Sequence, residues 1–385
     1  MPQAPRRLLR DALRIGFAAA GLLLLAGAEL ARRQPRLGAW LARPRVASPL
    51  LALLGLVAPL SLLDFGLRPF VEPKTTLYQR DRELGWTLVP GAQDEYGGVR
   101  VRINARGLRG PEVADAKPQG VLRILWLGDS VTFGYGVERT EEIFPYAVAD
   151  RLSARLGRPV ETVDAGVGGY SPWQEQLWLE RDGWRYAPDL VVVGFVLNDL
   201  TEPLSLVRYG GQGEGWQLAR TAKGALDRWL SASALATALR DGLARLRFGR
   251  DVAGAATRLE TYDVRRMSAD PTAPPFDRSW HIGETSLGRI FASARSRGVP
   301  VALVIFPYRF QLDAPQATAG PQRRLVEFAA SQGVPVLDLL PLLAERRAGV
   351  PFLDDSHLSS AGHAVVSDAL AAFLAEAKLV PGGQG

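Results

Sequence analysis

The chain has 385 residues, 47% hydrophobic and 22% charged, which suffices for a large core and excludes a fully disordered chain or a polytopic transporter. The absence of cysteine excludes a disulfide scaffold, a thiolate metal site, a cysteine nucleophile and a lipidated cysteine. Of the formal net charge of +6, residues 1–45 supply nine arginines against Asp11 and Glu29, so residues 46–385 carry a net charge of −1 and offer no footprint for nucleic acid.

Two apolar stretches open the chain. Residues 15–28 are uncharged, and so are residues 46–63, which contain Pro49 and Pro59. A bilayer core takes about 20 helical residues, so the first is short and the second borderline. Three readings compete. Residues 15–28 form the apolar region of a signal peptide with Ala26-Gly27-Ala28 as its cleavage site; both stretches span as a hairpin; or only one crosses and leaves the arginines cytoplasmic. The expectation carried forward is a membrane anchor in residues 1–70, with the catalytic part outside the cytoplasm.

Residues 75–118 read as a small β-rich lead-in. Turn signals occur at Pro90-Gly91 and Gly97-Gly98, and Val99 to Ile103 alternates with period two. A regular rhythm follows over residues 119–380. Short apolar, β-branched runs at 122–127, 160–163, 190–196, 299–306 and 334–339 alternate with helical patterns at 141–156, 173–186, 286–297, 322–331 and 360–377. Five buried strands alternating with helices predict one parallel, doubly wound α/β sheet. Ligands in such sheets bind beyond the strand C-termini, so the residues just after each run are the first candidates. Residues 201–285 break the rhythm and read as an insertion.

Four sequences stand at those places. The first strand runs into Gly128-Asp129-Ser130, where a tight turn can aim the serine hydroxyl into the crevice. A helix starting at Val131 would favour negative charge there. The second strand leads to Asp164-Ala165-Gly166-Val167-Gly168-Gly169, whose accessible backbone N–H groups suit an oxyanion or a phosphate; the spacing is not that of a P-loop. The third ends Gly194-Phe195-Val196-Leu197-Asn198-Asp199, and the Asn198 amide can donate to an oxyanion. Before the last helix stands Asp354-Asp355-Ser356-His357, with a carboxylate three residues from a histidine, as a general base requires. Each alone is an ordinary turn. Together, in order, they form a catalytic pattern.

That set resembles the SGNH, or GDSL-type, hydrolase superfamily across roughly residues 120–377. The resemblance implies a flavodoxin-like three-layer αβα sandwich with a five-stranded parallel sheet. It also implies neither metal nor organic cofactor. It marks Ser130 as nucleophile, Asp354 and His357 as its partners, and Ser130, Gly169 and Asn198 as the oxyanion hole. The expected activity is hydrolysis of an acylated glycan or lipid through an acyl-enzyme. An envelope O-acyltransferase and a non-catalytic binding protein are the rivals. The lead-in, with Leu84-Gly85-Trp86 and Asn104 to Gly110, is similar to membrane-anchored bacterial members. Three departures stand out: Gly194 lies two residues further from Asn198 than in the tight family form, Asp164 replaces a frequent Asn, and Asp355 rivals Asp354.

Overall fold

The computed structural model describes residues 77–201, 252–346 and 352–380, Arg82 apart, together with 39, 43–45, 48, 59–60, 62–67, 235 and 238–239. The chain divides into two compact units, Met1–Pro73 with Ala219–Arg250 and Lys74–Leu218 with Asp251–Gly385. The second holds the sheet and every candidate site residue.

In the first unit, residues 62–67 are helical and Leu62 and Phe65 are exposed. Among the described residues no helix is long and apolar enough to cross a membrane. The expected membrane anchor, and the location outside the cytoplasm that followed from it, are corrected accordingly. Pro49 and Pro59, each lacking the N–H of a helical hydrogen bond, and then Asp64 interrupt the apolar sequence; of residues 46–63 those described, 48, 59–60 and 62–63, are helical. Residues 15–28 lie outside the described residues, as does most of 46–63.

Nine strands are described in the second unit. Five form one parallel sheet: β5 (Leu122–Gly128), β6 (Val160–Asp164), β7 (Leu190–Val196), β8 (Val301–Phe306) and β9 (Val336–Asp338), in the order β6-β5-β7-β8-β9. Every residue of β5, β7 and β8 is buried, which is why these strands read as continuous apolar runs. The register sets Gly128 beside Gly194 and Val196 beside Phe306, so the C-terminal ends of the central strands share one rim. The chain steps from β5 outward to β6, then back across to β7. The switch point, where open α/β sheets place their ligands, therefore lies between β5 and β7.

The right-handed crossover rule puts the helix between β5 and β6 on one face and the later connecting helices on the other. Helix α2 (Phe144–Leu156) packs with the last helix, α8 (Ser360–Glu376), while α3 (Pro172–Arg181) packs with α5 (Asp277–Ser296). The expected insertion is described again from residue 252 as α4 (Val252–Ala269). Two further helices, α6 (Gly320–Ser331) and α7 (Leu339–Glu345), flank β9.

The lead-in is two antiparallel hairpins, β1 (Tyr78–Asp81) with β2 (Gly85–Leu88) and β3 (Gln93–Tyr96) with β4 (Val99–Arg102). Gly97 and Gly98 both have positive φ, +67° and +79°, as a two-residue turn of the primed type requires.

Candidate active site

The turn after β5 depends on glycine. Gly128 has φ +154°, and a Cβ there would stand 2.1 Å from Thr132 Oγ1 and 2.8 Å from the Gly194 carbonyl. Gly194, its neighbour across the sheet, is equally constrained, with a Cβ 2.5 Å from the same Thr132 oxygen. Both glycines make room for Thr132, so Gly194 shapes the rim and needs no closer spacing to Asn198. Asp129 then caps a single helical turn, α1 (Ser130–Phe133), by accepting from the Val131 N–H at 2.8 Å. One turn aligns too few peptides for a strong dipole, so little of the negative-charge preference expected at Ser130 comes from it.

On the loop before α8, Asp354 Oδ1 accepts from the Ser356 and His357 N–H groups at 2.9 and 2.8 Å. That local turn aims the other oxygen, Oδ2, at His357 Nδ1, 2.7 Å away. His357 Nε2 in turn lies 2.8 Å from Ser130 Oγ. Serine, imidazole and carboxylate thus stand in one hydrogen-bonded line, although 227 residues separate Ser130 from His357. Asp355 faces elsewhere, with Oδ2 accepting from Thr261 Oγ1 of α4 at 3.0 Å.

The remaining candidates lie around the nucleophile. Asn198 is buried, and its Nδ2 donates to Asp129 Oδ2 at 3.3 Å; an amide carries two N–H donors, so a second is left. Asp199 Oδ2 accepts from the Val196 N–H at 3.0 Å and so holds the end of β7. Gly169 has φ +78°, and among the described residues its N–H meets no backbone acceptor. Asp164 Oδ1 accepts from the Gly166 N–H at 2.9 Å, which folds the second loop against the Phe133 backbone.

Residues 126–365 match the model of the GDSL-like lipase/acylhydrolase family. The chain belongs to that family. This GDSL hydrolase is similar in structure to a two-domain esterase active on acetylated mannans (17% identity, TM-score 0.40), of which it spans about half, 51%, with 69% of its own length. It is also similar to a G-D-S-L family protein from Desulfitobacterium hafniense (14%, TM-score 0.38, 66% of this chain and 99% of that one). A catalytic mutant of an acetylxylan esterase from Geobacillus stearothermophilus matches too (15%, TM-score 0.40, 66% and 94%). No curated protein sequence matches the chain. The sequence match carries the family, and with it the chain is an ester hydrolase.

The charges in the GDSL hydrolase's site are set by burial and by local donors. Burial pushes the Asp354 carboxyl up, but hydrogen bonds from the His357 ring and from the two backbone N–H groups outweigh it and hold the pKa at about 2. Asp129 is fully enclosed, and burial raises its pKa against the donors Val131, Asn198 and Ser130. Burial likewise lifts Asp164 to about 7. His363, on α8, is buried with Nδ1 accepting from the Phe144 N–H at 3.1 Å; burial lowers its pKa to about 3, so it is neutral and structural. Among the described residues no acidic or histidine cluster of metal-binding type occurs.

Several further residues support the site, and the sequence assigned none of them a role there. Arg109, from the lead-in, is fully buried and donates to the carbonyls of Phe133 (2.8 Å), Gly134 (2.6 Å) and Val137, the loop that follows Ser130. Asn104 sets it up by accepting from the Arg106 and Leu108 N–H groups at 2.9 and 3.0 Å. On that loop Tyr135 lies against the His357 ring, with centroids 4.2 Å apart. From α4, Glu260 accepts from the Tyr308 hydroxyl at 2.5 Å, so this helix reaches the loop after β8 as well as Asp355.

Proposed function

We propose that the protein is a serine-dependent O-deacylase of a short-chain acylated carbohydrate, working through an acyl-enzyme. The observation that carries this reading is the unbroken line Ser130 Oγ to His357 Nε2 (2.8 Å) and His357 Nδ1 to Asp354 Oδ2 (2.7 Å). Ser130 Oγ also sits beside Asp129, with Asn198 bonded to that carboxylate, a polar setting that suits an acetyl group better than a long hydrocarbon chain.

In this mechanism His357 Nε2 takes the hydroxyl proton as Ser130 Oγ bonds to the ester carbonyl carbon. Asp354 fixes the tautomer that leaves Nε2 free to accept and stabilises the imidazolium that forms. The backbone N–H groups of Ser130 and Gly169 and the second N–H of the Asn198 amide meet the oxyanion. Collapse breaks the bond to the alcohol oxygen, which takes the proton from His357. Water then attacks the acyl-enzyme, giving its proton to His357, and the bond to Oγ breaks to release the acid and restore Ser130. Transfer to a sugar hydroxyl in place of water would use the same residues.

The test is 4-nitrophenol release from acetyl to decanoyl esters by the full chain and by Ser130→Ala. A Ser130-dependent turnover that is highest for acetate supports the reading. A folded protein without turnover or burst refutes simple hydrolysis, and acyl transfer to an added glycan under those conditions would establish the transferase instead.

A further inference from the structure

An imidazole has two nitrogens that act in its ring plane and two faces, and the mechanism above uses only the nitrogens. Nδ1 lies 2.7 Å from Asp354 Oδ2, and Nε2 lies 2.8 Å from Ser130 Oγ. One face of His357 is covered by Tyr135. The ring centroids are 4.2 Å apart, with 32° between the planes. Rings lying side by side or edge to face cannot combine that distance with that angle, so the imidazole lies over the face of the phenol ring.

The contact is built from both sides. The Tyr135 N–H donates to the Ser130 carbonyl at 2.9 Å, and Arg109 binds the carbonyls of Gly134 before it and Val137 after it. Tyr96 of β3 meets the Tyr135 ring edge-on at 4.9 Å. Across the contact, the Leu353 N–H donates to the His357 carbonyl at 2.8 Å. A Cβ on Gly136 would stand 2.4 Å from Leu353 Cδ1, so the loop after Ser130 and the loop of His357 close on each other.

The face of an aromatic ring carries the negative part of its quadrupole and attracts a cation within about 6 Å of the centroid. As the base, His357 enters each step neutral and leaves it as a cation, first with the proton of Ser130 Oγ and later with that of the attacking water. A contact stronger with imidazolium than with imidazole lowers the barrier to both steps and leaves substrate affinity unchanged. We propose that Tyr135 is a positioning residue of the reaction, whose ring face stabilises the His357 imidazolium during both proton transfers. It acts through His357 and not on the ester. This inference rests on the reading of the site as a serine-dependent deacylase.

The experiment places phenylalanine, and then its mono-, tri- and pentafluoro derivatives, at position 135 of the full chain by codon suppression. Fluorine withdraws electron density from the ring face in steps while the ring stays nearly the same size. Turnover of 4-nitrophenyl acetate gives kcat and KM, and circular dichroism with urea midpoints checks that each variant is folded. Tyr135→Phe, the conservative variant that keeps the π face, should hold kcat within about twofold of the parent. Across the fluorinated series kcat should fall stepwise, to about one tenth for the pentafluoro ring, with KM unchanged. Packing alone would give no such order; should the pentafluoro variant fail to fold, the trend over the mono- and trifluoro rings decides. A kcat that is flat across the series overturns the proposal. A tenfold loss already in Tyr135→Phe overturns it too, by assigning the effect to the hydroxyl. A rise in KM at constant kcat overturns it by placing the ring against the substrate. Failure of the deacylase reading is seen before any change at position 135, as absence of Ser130-dependent 4-nitrophenol release by the unsubstituted chain, and it removes this inference as well.

Discussion

Replacing Arg109 by methionine tests how far the lead-in supports the catalytic loop. The guanidinium is buried and donates to the carbonyls of Phe133, Gly134 and Val137. Hydrogen bonds from a charged group contribute about 1.5–3 kcal/mol each, so three give a gross stabilisation of about 5–9 kcal/mol. Enclosing the cation offsets several kcal/mol of that; burial lowers the Arg109 pKa, and Asp164 counters it only in part. Removing the cation takes the side-chain donor from the Phe133 and Val137 carbonyls, while Gly134 still accepts from the Val137 N–H at 3.2 Å, and the expected net loss is about 3–5 kcal/mol. Urea denaturation of the full chain should show a lower midpoint at unchanged slope. Because the same loop carries Tyr135 against His357, kcat on 4-nitrophenyl acetate should fall as well, under conditions where the variant is still folded. Arg109→Lys, which keeps the charge but not the forked geometry, should be intermediate. A loss below about 1 kcal/mol for Arg109→Met would refute the clamp.

Three further outcomes follow from the site. Asn198→Ala should lower kcat about 10²–10³-fold with little change in KM, as removal of one oxyanion donor does; an unchanged kcat would remove Asn198 from that role. Asp354→Asn should reduce kcat roughly 10³–10⁴-fold by favouring the wrong imidazole tautomer, and a loss below about tenfold would show that another group orients His357. His363 binds its proton in the unfolded chain near 6.5 and in the folded one only near 3, so its contribution is full above pH 6.5 and is lost as pH falls to about 3. That shift amounts to about 4–5 kcal/mol. Asp164, raised from 3.8 to about 7, acts oppositely and gains stability as pH falls through the same window, so the test is the difference between the parent and His363→Gln in urea unfolding at pH 7 and pH 4. Identical pH slopes would refute the assignment.

The sheet was legible because its central strands are buried on both faces, so their sequences are apolar without alternation. The ends were less so. The apolar runs start at 299 and 334, but the strands begin at Val301 and Val336, since Pro300 and Pro335 look apolar yet donate no ladder hydrogen bond. The helix predicted over 173–186 is divided after Arg181, where Asp182 and Gly183 lead into a 3₁₀ turn ending at Tyr186. α5 begins at Asp277, nine residues before its predicted start, because Gly283 and polar Asp277-Arg278-Ser279 obscure the apolar period that Trp280 and Leu287 carry. At the site, the three-residue spacing of Asp354 and His357 was enough to anticipate their contact, since a local turn makes it. Arg109 and Tyr135 were not assignable, because an arginine in the sequence does not reveal that it will be enclosed, and ring contacts with His357 depend on a chain closure of more than 200 residues.

The first hairpin is sewn onto the second loop of the sheet. Trp86 Nε1 binds the Gly168 carbonyl, Tyr170 Oη returns a hydrogen bond to the Trp86 carbonyl at 2.7 Å, and Gln174 Nε2 reaches the Leu84 carbonyl at 2.8 Å. Every one of those bonds joins a residue before 126 to one after it. Cleaving the chain in the stretch between the hairpins and β5 would therefore leave the second loop held to the first hairpin by these side-chain bonds alone.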